Sequence, residues 1–171
     1  MEISDHHRKF LRIDQCLVPG IINVAINGGI AWALLRAHTE IPLWGAPSVG
    51  IDLIATGFLL PFFTCMIVSR IVGGQVRSGK LEPLASDQIG SRGFHHRSIL
   101  KRALFLGTAC VVFASAPMVA ALEMANAQPI AFYSFVGFKA IWGGLLAVLL
   151  TPLIAWWALS SASMARPLAE A

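Results

Sequence analysis

Four stretches of the chain run for 17 to 21 residues without a single charge: 15–35, 53–69, 103–122 and 140–159. About 20 apolar residues, rising about 1.5 Å each as a helix, match the roughly 30 Å hydrocarbon core of a bilayer. Four such runs in 171 residues leave room for little else. The expected fold is an all-α membrane protein with four transmembrane helices, arranged as two antiparallel hairpins with both termini cytoplasmic. It forms a single integral membrane domain over 1–171. The spans are expected at about 15–36, 51–71, 103–123 and 137–159, with a cytoplasmic loop at 72–102.

Composition agrees. The chain is 56% hydrophobic and 13% charged, whereas a soluble domain carries about 25% charged residues. The net charge of +4 is concentrated between the apolar runs. It therefore reads as a topology signal and not as a nucleic-acid footprint. The first apolar run follows Arg8, Lys9 and Arg12, as a signal peptide would. At about 20 residues it exceeds a signal-peptide core, and no small-residue cleavage motif follows, so a retained helix is expected.

The basic residues set the orientation. With both termini inside, eleven Lys and Arg lie on the cytoplasmic side and two, Arg36 and Lys139, lie outside. That bias fixes the direction of insertion. Trp32, Trp44 and Trp142 then fall at the outer interface and Trp156 and Trp157 at the inner one, the usual places for anchoring indoles. The fourth span has two readings. A start near Val136 leaves Lys139 at the interface and is favoured, while a start at Ile130 places it deeper, where charge reads as functional.

The first span has two faces. Asn23 and Asn27 share a stripe with Cys16, Gly20 and Ala31 at helical spacing. Opposite them, Ala25, Gly29 and Ala33 form a small-xxx-small ridge suited to close contact with another helix. Amides in lipid need partners, and interhelical bonding is the expected use of Asn23 and Asn27; with Thr56 they are also the candidates for lining a pathway. Each span carries a proline: Pro19, Pro61, Pro117 and Pro152. Each frees a carbonyl four residues earlier, at Gln15, Gly57, Phe113 and Val148. If the first two helices pack side by side, Asn27 is placed to donate to the carbonyl of Gly57. At the outer rim Asp52 is expected to pair with Arg36 or Lys139, as an interfacial ion pair.

The three cysteines, Cys16, Cys65 and Cys110, sit on three spans with no C-x-x-C, and read as small apolar packers. The middle segment is expected to be mostly loop with a short helix near Arg97. It contains Gly74-Gln-Val-Arg-Ser-Gly79-Lys80, a near match to a phosphate-binding loop. Leu81 replaces the metal-binding hydroxyl and no strand precedes it, so the motif is rejected. Arg92, Arg97, Lys101 and Arg102 form a basic cluster suited to anionic lipid head groups. The pairs His6-His7 and His95-His96 lack the spacing of a metal site.

Several activities lack their residues. There is no intramembrane glutamate in the first span, as small multidrug transporters have. Outward-facing paired cysteines of quinone-linked disulfide oxidases are missing, and so are in-helix histidines of haem-binding four-helix cytochromes. No nucleophile, base and metal group gather in the sequence, so no enzyme and no cofactor is expected. Two functions remain: a non-enzymatic accessory or interaction subunit, or a small oligomeric transporter or channel. The expected surroundings are the bilayer, anionic head groups at the cytoplasmic face, and either a second copy or a partner membrane protein, in a bacterial inner membrane. Nucleic acid is not expected.

Overall fold

The computed structural model describes residues 15–84 and 98–165. Helix α1 (Val18–Leu35) is followed by the short strand β1 (Glu40–Ile41) and helix α2 (Val49–Arg77). Helix α3 (Ile99–Met124) precedes strand β2 (Ile130–Ala131) and helix α4 (Phe132–Ala165). All four helices are long and apolar enough to cross a membrane.

The helices outrun the apolar stretches. A charge ends an apolar run without ending a helix, because Arg and Lys are good helix formers. Thus α2 continues through Arg70 to Arg77, α3 already includes Lys101 and Arg102, and α4 begins at Phe132 with Lys139 inside it. Gly74 to Arg77, half of the apparent phosphate loop, are the last turn of α2. Gly79, at φ +72°, ends that helix. Its N–H donates to Val76 (3.2 Å) and that of Lys80 to Gln75 (3.0 Å). This is a Schellman cap, whose left-handed position suits glycine.

The packing order is α1, α4, α2, α3. Helix α4 lies between α1 and α2, and α3 packs mainly on α2 while its side chains reach α4. The two hairpins expected from chain order are therefore not the packing units, because α1 seats on α4 and not on α2. The reason lies in small residues. Gly143 and Gly144 let α1 close in on α4, with Asn27 against Gly143 and Val24 against Gly144. Gly28 reciprocates beside Ala140. Close approach through small residues drives helix association in lipid, where there is no hydrophobic gain between apolar surfaces.

Proline shapes the α2–α3 contact. Pro117 cannot donate to the carbonyl of Phe113, and a π-helical turn, Val111–Ser115, precedes it. Ser115, fully buried, sits against Gly57 and donates to the carbonyl of Leu53 at 2.9 Å. On α4, Pro152 leaves the carbonyl of Val148 free, and the thiol of Cys16, in the turn just before α1, donates to it at 3.7 Å. Cys16 is thus a weak hydrogen-bond donor as well as a packer.

One end of the bundle is closed by an antiparallel ribbon. Glu40 pairs with Ala131 and Ile41 with Ile130. Phe132 N–H donates to Thr39 at 2.9 Å, which fixes where α4 begins. Ile41 and Leu43 are fully buried in a cluster with Val49, Leu53, Val119 and Phe135. Ser48 caps α2 by accepting from Ile51 N–H (3.2 Å) while its hydroxyl donates to Leu43 (2.7 Å). At the opposite end, Leu81 and Leu84 fold back onto α2 and α4, beside Val72, Val76, Ala158 and Leu159. Leu84 N–H donates to Ser163 Oγ at 2.8 Å.

Candidate functional sites

Two polar centres stand at opposite ends of the bundle. At the ribbon end, Asp52 lies in the first turn of α2 and Lys139 two turns into α4. The Lys139 ammonium donates to Asp52 Oδ1. Lysine is the deeper partner, with a side chain 4% exposed against 25% for aspartate. Arg36, the other candidate cation, instead stands over the Trp32 ring, 5.4 Å from its centre. Asp52 Oδ2 has no protein partner. The pair forms part of the wall of a cavity of about 380 Å³ between α1, the loop 45–48 and α2. Most of that wall is apolar, from Ala31, Leu34, Leu35, Ile51 and Ala55.

The other sequence-selected residues fall elsewhere. Asn23 donates to Pro19 O at 2.9 Å and Asn27 to Asn23 O at 3.0 Å, both within α1. Asn27 is buried in the α1–α4 contact against Gly143. It does not reach Gly57 as expected, because α2 is not its neighbour; Ser115 occupies that position instead. Thr56 is half-buried on α2. Neither asparagine nor Thr56 is in the cavity wall beside Asp52. Ala25, Gly29 and Ala33 are all exposed, and a Cβ on Gly29 would meet open space.

No family model, curated protein or solved structure matches this chain. What it does must therefore be argued from its own side chains.

The second centre is at the end away from the ribbon. Arg102, in the first turn of α3, is 4% exposed. One guanidinium nitrogen donates to Trp157 O (3.2 Å) and Ser161 Oγ (2.7 Å) on α4. Its Nε has no partner. Lys101, beside it in sequence, is exposed, and Arg92 and Arg97 lie outside the described residues. The sequence offered no way to separate Arg102 from its basic neighbours. Only the packing of α3 against α2 and α4, through Cys65, Ala103, Leu106 and Ile154, turns this one side chain inward. Among the described residues, no three metal-ligating side chains come together.

Proposed function

We propose that the chain is a non-enzymatic integral membrane subunit that acts by helix contact with another membrane protein. The observation that carries this reading is the division of labour on α1. Its Asn27 and Gly28 face is used up inside the bundle. Its Ala25, Gly29 and Ala33 face is left bare. Small residues in that register admit a second helix at close range. The occupant is a transmembrane helix of a different protein. Affinity purification in mild detergent tests this. Wild-type protein should retain one membrane partner in fixed stoichiometry. Gly29→Ile should lower that retention by at least about tenfold, the loss of roughly 1.4 kcal/mol of contact, without lowering the protein's own melting temperature. Equal retention by the variant overturns the proposal, and a chain that captures only itself replaces the partner with a second copy.

The orientation belongs to the same reading. Both termini and the Arg102 end face the cytoplasm, and the ribbon faces outward, across a bacterial inner membrane. The support is the eleven-to-two division of basic residues. A reporter fused after Gly79 should give the cytoplasmic signal, and one placed at Gly45 the external signal; the reverse pattern refutes this topology.

The rival reading, a small oligomeric transporter or channel, draws on one feature, the cavity beside the free oxygen of Asp52. Against it stand Asn23 and Asn27, which bond to their own helix and, like Thr56, are not in the wall of that cavity.

A further inference from the structure

A buried guanidinium needs an anion. Arginine stays protonated, and a charge removed from water is costly unless it is paired. Arg102 is 4% exposed and, among the described residues, bonds to a neutral carbonyl and a neutral hydroxyl, with Nε unpartnered. Among the described residues, the ion pair of Lys139 with Asp52 is at the far end of the bundle. Arg102 lines an open-mouthed cavity of about 500 Å³ between α2, α3 and α4. A second cation, Arg77, and the hydroxyl-bearing Ser69 share that wall. The rest of it is small or apolar: Gly73, Val76, Ile99, Ala158 and Ala162. No carboxylate lines it among the described residues. The cavity therefore has two positive groups, the Ser69 hydroxyl, and an apolar wall at the end of membrane-spanning helices.

We propose that this cavity is a binding site for the phosphate of an anionic phospholipid, with Arg102 as the buried anchor and Arg77 as the outer clamp. The guanidinium fork matches two phosphate oxygens, which a lysine ammonium does not. The position suits a lipid and not a soluble metabolite. Val76, Ile99 and Ala162 in the wall itself offer apolar surface to the part of a lipid next to its head group. A general electrostatic attraction of the basic cluster for the leaflet would engage exposed Lys101 equally; the proposed site depends on Arg102 instead.

The test uses full-length protein purified in mild detergent and stripped of lipid. Melting temperature and lipid retention by native mass spectrometry are followed with added phosphatidylglycerol, phosphatidylcholine or inorganic phosphate. Phosphatidylglycerol should be retained and should raise the melting temperature, while phosphatidylcholine and inorganic phosphate should do neither. Arg102→Gln should weaken phosphatidylglycerol binding about tenfold, as loss of a charge-assisted bond does. Arg77→Gln, at an exposed position that the fold does not need, should weaken it by several-fold, and Lys101→Gln should leave it unchanged. Arg77→Gln keeps the test valid even if Arg102→Gln does not fold. The proposal is overturned if Arg77→Gln binds phosphatidylglycerol as wild type does, if Lys101→Gln weakens it as much, or if phosphatidylcholine stabilises equally. It is also overturned if inorganic phosphate alone gives the full shift, since the ligand is then a free anion.

Discussion

Replacing Asp52 with Asn should destabilise the protein in detergent by about 3–5 kcal/mol, the cost of stranding a buried charge. The two partners are not equally enclosed. Lys139 is almost fully enclosed, so without the carboxylate its ammonium has neither water nor a counter-ion. The Asp52 side chain is the less enclosed of the two, a quarter exposed and in the wall of the cavity next to α1. Lys139→Met should therefore cost less, about 1–3 kcal/mol, because the charge left behind is the less enclosed one and borders a cavity. The double variant, Asp52→Asn with Lys139→Met, should recover most of the loss, since two neutral groups of similar shape leave no charge stranded. Thermal unfolding of the four proteins checks this. Additive losses in the double variant would mean that the two residues act independently, and the ion pair would then contribute nothing as a pair.

The second large effect is expected at Gly57. An added methyl there would overlap the Ser115 side chain and displace the hydroxyl that donates to Leu53. Overpacking of this kind costs about 1–3 kcal/mol, and the lost hydrogen bond about 1 more. Gly57→Ala should therefore lower stability by about 2–4 kcal/mol. Gly29→Ala, on the same kind of residue in the same kind of helix, should be neutral or slightly stabilising, because nothing lies near that position and alanine is the better helix former by about 1 kcal/mol. Adding Ser115→Ala to Gly57→Ala should recover part of the loss by removing the overlapping oxygen. Equal melting temperatures for Gly57→Ala and Gly29→Ala would refute the close α2–α3 contact.

Both expectations depend on neighbours that are far apart in sequence. Position 52 meets 139, and 57 meets 115. In the sequence Gly29 looked the more important glycine, since Ala25, Gly29 and Ala33 form a recognisable ridge. Gly57 had no such register, and its partner is presented by a π-helical turn next to Pro117. The ribbon escaped for another reason. Two residues per strand carry no alternation to detect, and Ile41 is buried by what folds over it.

Four membrane-length helices could be read from the chain alone, because hydrocarbon excludes charge and an uncharged run of about 20 residues has no other inexpensive place to go. Asp52, with its two candidate cations at the same rim, could also be read, because charges near a membrane boundary are few and need partners. Which cation takes Asp52, which helix Asn27 touches and which arginine is buried were settled only by the tertiary structure. Those choices follow from the order α1, α4, α2, α3, which is set by where small residues on distant helices let backbones approach. That approach is a property of pairs of surfaces, and no single segment of the sequence contains it.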